Sequence, residues 1–388
     1  MTQTRGKNPF RPGDPVPDPY VGRVALRKAF AEDVVTRLED AGAAPPLVLL
    51  GLSGTGKSAT LNVFRDIAEE MGWVAPLRQK AERDMGLRTL MGRVFADVET
   101  ALGRMDISDA ARQTLGALAE VRLDLGFVGG TVTTSKRAKP DDASLGQTLY
   151  ELLERLADAA GDTDAVLLLD ELHLLRPGSL RALTYAIEQA MNSRLPIAFV
   201  LTGLPHLRRL LLGAGLYTLR FNYRELGNFT EDETILALRE TARSVEGQDV
   251  EDDAARRCHA LTGGYPHFVQ TYGYIAWNVA RDTPISVADI ERAHEIAWAD
   301  LCASFFRPRW MEIPAGQQEL LLALARLGNG GHPLGEVAAS LKVAPEDIGR
   351  SMARLVDRGD VVQPRERGPY EIALPRFDEY LRREIIAE

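Results

Sequence analysis

The sequence predicts an α/β fold: a doubly wound parallel sheet up to Leu226, then an all-helical segment, then a C-terminal unit of three helices and a hairpin. Three observations carry that expectation. Uninterrupted apolar runs at Leu47-Val48-Leu49-Leu50, Ala165-Val166-Leu167-Leu168-Leu169 and Pro196-Ile197-Ala198-Phe199-Val200-Leu201 suit central strands covered on both faces. Helical apolar stripes separate these runs, which is the alternation of a parallel sheet. Beyond Leu226 the pattern turns helical and returns to strand type only near the C-terminus.

Residues 1–20 contain Pro9, Pro12, Pro15, Pro17 and Pro19, so this arm is extended. Phe10 and Tyr20 are its apolar members, suited to pin it to a neighbouring surface. A helix follows over about Val24 to Asp40, with Leu26, Phe30, Val34 and Leu38 on one face and Gly42 beyond its end. After the run at 47–50 comes Gly51-Leu52-Ser53-Gly54-Thr55-Gly56-Lys57-Ser58, which opens a helix with Leu61, Phe64, Ile67, Ala68 and Met71 apolar. Strand, glycine-rich turn and amphipathic helix in that order form a phosphate-binding loop. Backbone N–H groups at Gly51, Ser53, Gly54, Thr55 and Gly56 would curl around phosphate, helped by the partial positive charge of the helix N-terminus. Lys57 would neutralise the outer phosphates, and the Ser58 hydroxyl would ligate Mg²⁺ beside ATP. The fold class is therefore a P-loop NTPase parallel sheet.

A second strand is expected near Trp73-Val74-Ala75-Pro76-Leu77. Residues 83–160 read as a helical insertion with stripes at Leu90, Val94, Val98, Leu102 and at Leu145, Leu149, Leu152, Leu156. Between them, Val121 to Thr133 predicts a small hairpin about Gly129-Gly130, and Ser135 to Asp142 reads as a loop. A helix over roughly Leu180 to Met191 and a last strand around Leu219 to Tyr223 complete a core spanning 21–226.

Residues 227–305 read as a helical lid. Thr230 with Glu233 forms a capping box, and Ser286 with Asp289 resembles another. Thr262-Gly263-Gly264-Tyr265-Pro266 breaks the segment, with a new helix at or after the proline. In 306–388, Leu320, Leu321, Leu324 and Leu327 mark a first helix. Leu334, Val337, Ala338 and Leu341 mark a second; Ile348, Met352 and Leu355 mark a third, stopped by Gly359. Val361-Val362 and Tyr370 to Leu374 then flank an Arg- and Gly-rich turn, which completes a winged-helix domain.

Asp170 and Glu171 end the apolar run at 165–169, where ligands of a parallel sheet bind beyond the strand ends. Asp170 would hold Mg²⁺ through water, and Glu171 would polarise the attacking water as general base. Thr202 ends the next strand, placed for a contact to the γ-phosphate or the water; a turn-initiating threonine is the plain alternative. His173 and the other histidines lack the spacing of metal ligands and read as incidental.

Composition bounds the rest. The chain has 388 residues, 45% of them hydrophobic and 26% charged, which describes a soluble globular protein of two or three units. A net charge of −9 argues against a generally nucleic-acid-coating surface. Cys258 and Cys302 are too few for a disulfide framework or a zinc site. No signal peptide is visible and no apolar run spans a bilayer, so a cytoplasmic protein without membrane contact is the expectation. From Arg307 onward, 12 Lys+Arg stand against 13 Asp+Glu. Arg350 and Arg354, opposite the apolar stripe of the third helix, and Arg365 and Arg367 at the hairpin tip could grip double-stranded DNA. Glu346, Asp347, Asp357 and Glu366 are interleaved among them, which equally suits a protein partner.

Taken in order, Val21-Gly22-Arg23, the phosphate loop, Asp170-Glu171, Thr202, the helical lid and the winged helix resemble AAA+ and STAND-type ATPases. The nearest likeness is to archaeal and bacterial ATPases related to origin-recognition initiators. It covers nearly the whole chain outside 83–160, and its two Walker elements are specific. The resemblance implies that Tyr20 to Arg23 lie near the adenine, and that Arg220 acts on a neighbouring subunit's nucleotide through self-association. Gly264-Tyr265-Pro266-His267 departs from the initiators, which usually carry a lid arginine there. Pro266 instead matches the Gly-x-Pro element of STAND switches, which favours slow hydrolysis and a nucleotide-dependent switch. The Asp-Glu-Leu-His string also resembles motif II of some helicases, but no Gly-Arg-x-Gly-Arg partner accompanies it.

Overall fold

The computed structural model describes residues 6–13, 19–103, 127–128, 131–132, 142–363 and 368–387. The chain packs as two compact units. One holds Arg23–Gly51 and Lys57–Leu226; the other holds the described residues up to Gly22, the stretch Leu52–Gly56 and the chain from Gly227 onward.

The first unit is built on strands β1 (Leu47–Leu50), β2 (Gln79–Lys80), β5 (Ala165–Asp170), β6 (Ile197–Gly203) and β7 (Asn222–Glu225); β3 (Phe127–Val128) and β4 (Thr131–Val132) form a separate antiparallel hairpin. The five strands lie in the order β2-β5-β6-β1-β7, and every neighbouring pair is parallel. Successive residues alternate between two cores. Val48, Leu50, Leu167, Leu169, Phe199 and Leu201 face helices Leu87–Leu102, Asp142–Ala160 and Pro177–Asn192. Leu47, Leu49, Val166, Leu168, Ala198 and Val200 face Phe30, Val34, Leu61 and Phe64 on the other side. Both faces are dry, which is why these strands carry no polar alternation. Phe30 stacks on Phe64 with centroids 4.3 Å apart, fixing the Val24–Ala41 helical run against the helix after the phosphate loop. Gly146 lets Asp142–Ala160 approach Pro177–Asn192 closely, since a Cβ there would come within 3.1 Å of the Ala182 carbonyl.

Two sequence expectations shift. The second strand forms at Gln79–Lys80, and of the Trp73–Leu77 run Val74 alone bridges, to Ala165. Pro76 has no N–H to give a ladder, so the run is buried at Trp73, Val74 and Ala75 without becoming a strand. The last strand starts at Asn222, because Leu216–Arg220 coils into a 3₁₀ turn.

The second unit is helical, through Glu231–Arg243, Asp252–Thr262, Pro266–Val279 and Val287–Leu301. Thr230 and Glu233 exchange both capping bonds, at 3.2 and 3.0 Å, and the Asp289 carboxylate accepts from the Ser286 N–H at 2.8 Å. Phe10 is buried against Trp277, and Gly273 makes room for it; a Cβ there would collide with the ring. The Val287 helix continues through Cys302–Phe306 into Arg307–Met311. Helices Ala315–Leu327, Leu334–Leu341 and Pro345–Arg358 follow, then the antiparallel ribbon of β8 (Val361–Val362) and β9 (Glu371–Ile372). Phe306 stacks on Phe377 and Tyr380, so one continuous core runs from the four helices into this ribbon-bearing part. Among the described residues, no helix is long and apolar enough to cross a membrane.

Candidate active site

The site lies at the carboxyl ends of β1, β5 and β6. Gly51 is tied to β6 by its N–H, which donates to the Gly203 carbonyl at 3.1 Å. Gly54 and Gly56 have φ of 87° and 92°, a region where a side chain is strained, and this lets the loop turn back onto its helix. Lys57, only 4% exposed, donates from Nζ to the Gly51 carbonyl at 2.8 Å and stands 3.5 Å from Glu171 Oε1. Burial lowers its pKa, with Glu171 and Asp170 partly offsetting the shift.

Asp170 is fully buried at the end of β5. Its Oδ2 accepts from Ser58 Oγ at 2.7 Å and from an Arg78 guanidinium N–H at 2.6 Å, and its Oδ1 accepts from the Thr202 hydroxyl. Ser58 Oγ and the Asp170 carboxylate are hard oxygens side by side, so they fit a magnesium ion that completes its shell with phosphate and water. Among the described residues no cluster of three or more His, Cys, Asp or Glu side chains offers an all-protein metal site.

Glu171 sits in the left-handed region, φ 57°, where the chain leaves β5 and enters the 3₁₀ turn Leu172–Leu174. A non-glycine residue held there is strained, and such strain gathers at functional sites. Its backbone N–H donates to Thr202 Oγ1 at 3.3 Å, and its Oε2 lies 3.3 Å from His173 Nδ1. Burial, with His206 and Lys57 adding to it, lowers His173 to about 3, so the ring is neutral at neutral pH. Thr202 is fully buried and its hydroxyl is engaged with both acidic residues. Contact with a phosphate would require the bond to Asp170 to break.

Comparison with known proteins bears on the domain and the fold that carry this site. Residues 19–200 match the family described as AAA ATPase domain. Residues 303–381 match a domain family of unknown function, DUF8462. No curated protein matches the chain. Among solved structures, the Walker-type ATPase PABY2304 of Pyrococcus abyssi is similar at a TM-score of 0.57 and 16% identity, over 96% of this chain and 99% of that one. Cdc6p from Pyrobaculum aerophilum is similar at 0.49 and 17%, over 95% and 94%. The Orc1 protein of Aeropyrum pernix, solved in complex with DNA, is similar at 0.46 and 18%, over 97% and 96%. At these identities the likeness is one of fold, and only the first is close enough in shape to support it. The parallel sheet and its glycine-rich loop are a P-loop NTPase fold.

The sheet unit brings Lys57, Ser58, Asp170, Glu171 and Thr202 together, with two residues the sequence reading missed. His173, set aside as incidental, lies against Glu171. Arg78 reaches Asp170 because β2 pairs Lys80 with Asp170, two residues downstream. Ninety-odd residues separate the two in sequence, and only the strand register joins them.

Other expected residues lie elsewhere. Arg220 is exposed in the 3₁₀ turn before β7, its guanidinium 5.3 Å from the Tyr217 ring centroid. Asn222 pairs with Leu47 at the start of β1, so Arg220 belongs to the opposite end of the sheet from the phosphate loop. Within the helical unit, Gly22 lies against Phe229 and Glu233, and Val21 is half-buried; Arg23, in the left-handed region, opens the first helix of the sheet unit. Pro266 is the first residue of Pro266–Val279. The Tyr265 hydroxyl before it donates to the Ser53 carbonyl, and Gly54 packs against Tyr265 and His267. Arg350 and Arg354 are exposed opposite buried Ile348, Met352 and Leu355. Arg365 and Arg367 lie outside the described residues.

Proposed function

We propose that this protein is an ATP switch of low turnover that acts on double-stranded DNA through its C-terminal three-helix and ribbon unit, read as a winged helix. One observation carries the catalytic half of that reading: the unbroken set of hydrogen bonds from Ser58 through Asp170 and Thr202 to Glu171. It joins a phosphate loop to a metal-binding carboxylate and a general base without a gap. Gly51, Ser53, Gly54, Thr55 and Gly56 with Lys57 cradle the phosphates of ATP; Ser58 and Asp170 hold magnesium, which would supply charge neutralisation at the phosphates. Glu171 orients and deprotonates the attacking water. Val21, Gly22, Arg23 and Pro266 serve the adenine end.

Slow turnover follows from how Glu171 is held. Its two carboxylate oxygens face Lys57 and His173, so the base must leave both before it can serve water. Thr202 acts through the Asp170 carboxylate and the Glu171 backbone N–H that it bonds rather than on substrate. Arg220 is too far along the sheet to reach its own loop, since four strand residues span about 13 Å. Its place is therefore a neighbouring copy's nucleotide. Exposed Leu216 and Leu219 beside it give that contact an apolar surface.

The exposed face with Arg350 and Arg354 supports the DNA reading. A protein partner is the second reading, favoured by exposed Glu346 and Asp347 at the start of the same helix. Duplex binding measured at two salt concentrations, with and without ATP, separates them. Phosphate contacts predict affinity that falls steeply with salt and responds to ATP. Binding that is absent at low salt in both nucleotide states assigns the unit to a protein.

A further inference from the structure

Asp170 presents a problem that the nucleotide reading alone does not solve. A fully buried carboxylate is costly unless a cation or strong donors compensate it. Lys57, the cation that the loop supplies, is engaged with Gly51 and Glu171. The cation paired with Asp170 is Arg78, at 2.6 Å from Oδ2. That oxygen also accepts from Ser58, so the guanidinium sits on the same pair of hard oxygens that fit magnesium. Arg78 is held there from one side only. Its Nε is buried without a hydrogen-bond partner, while the side chain keeps 19% exposure.

We propose that Arg78 is the resident cation of this site: it compensates Asp170 when no divalent ion is bound, and so sets how far nucleotide binding depends on magnesium. The proposal rests on the ATP-site reading above. Without metal, a bare Asp170 would repel the phosphates of an entering nucleotide. With Arg78 in place the carboxylate is neutralised. With metal present Asp170 is compensated in any case, and Arg78 becomes a competitor for the same oxygen. Removing the guanidinium should therefore weaken metal-free binding selectively. Arg78 is a positioning and charge-compensating residue, distinct from the base and from the loop lysine.

The test is calorimetric titration of the full-length protein with ATP, in magnesium and in EDTA, for wild type, Arg78→Gln and Arg78→Lys. In EDTA, Arg78→Gln should lose about tenfold or more in affinity, the scale of one charge-assisted hydrogen bond. In magnesium its affinity should hold or rise, so the ratio of the two constants widens. Arg78→Lys, which keeps the charge, should restore most of the metal-free binding. A purely structural role would weaken both conditions alike and leave the ratio unchanged, which overturns the proposal. So does an Arg78→Lys protein that behaves like Arg78→Gln, because charge would then be irrelevant. Wild-type protein that binds no ATP in either buffer sinks the nucleotide reading itself, a result distinct from a flat ratio.

Discussion

The carboxylate cluster of the sheet unit and the arginine face of the C-terminal helix both carry charge, but they hold it differently. Around Asp170, the side chains of Lys57, Arg78, Glu171 and His173 are at least partly buried and tied to one another or to Asp170 within a few ångströms, so geometry defines a chemistry. On Pro345–Arg358, Arg350 and Arg354 stand exposed, interleaved with acids and carried by a helix whose buried stripe serves packing. Burial makes the first arrangement expensive to keep without a use. Exposure makes the second inexpensive and therefore ambiguous. A reaction can be read from the sheet unit, and a partner cannot be read with equal force from the C-terminal one.

The largest expected effect breaks the comparison by moving catalysis to an exposed residue. Arg220→Ala should bind ATP normally yet hydrolyse it about 10³ to 10⁵ times more slowly, and wild-type specific activity should climb with protein concentration. Turnover independent of concentration, with an unaffected Arg220→Ala, would return catalysis wholly to the buried cluster. Next, Glu171→Gln should retain ATP and lose about 10² to 10⁴ in single-turnover hydrolysis. Wild-type rates there would mean that another group orients the water. The smallest effect concerns the exposed face. Replacing Arg350 and Arg354 together by Ala should reduce duplex affinity at every sequence and lower the salt slope by about 2. An unchanged slope leaves that face without a role on DNA.

The central strands were legible because both of their faces are dry. Val48 and Leu49 pack into opposite cores, so no polar residue interrupts the run. The phosphate loop was legible because its glycines, lysine and serine are contiguous. Edge strands were not. Gln79–Lys80 has no apolar pattern, being half-exposed at the rim of the sheet, while the apolar Trp73–Ala75 stretch is buried without a ladder. Arg78 escaped notice, and His173 was set aside as incidental, for a different reason. Their roles arise from strand register and from a left-handed turn at Glu171, neither of which leaves a local mark in composition. Arg220 falls within the strand expected around Leu219 to Tyr223 but lies in a coiled turn two residues before β7 begins, because Thr218 and Phe221 close it with backbone bonds to Gly215 and Thr218.

The run of helix from Val287 to Met311 has a mechanical consequence. Phe306 lies near its C-terminal end and stacks on Phe377 and Tyr380, which ties the four helices to the ribbon-bearing part. Pulling that ring out of its socket would cost about 1.5 to 3 kcal/mol for the side chain alone. The two parts therefore form one lever arm. A tilt applied at Val287 reaches the ribbon through continuous helix and a packed ring, as torque through a rod rather than a tug on a tether.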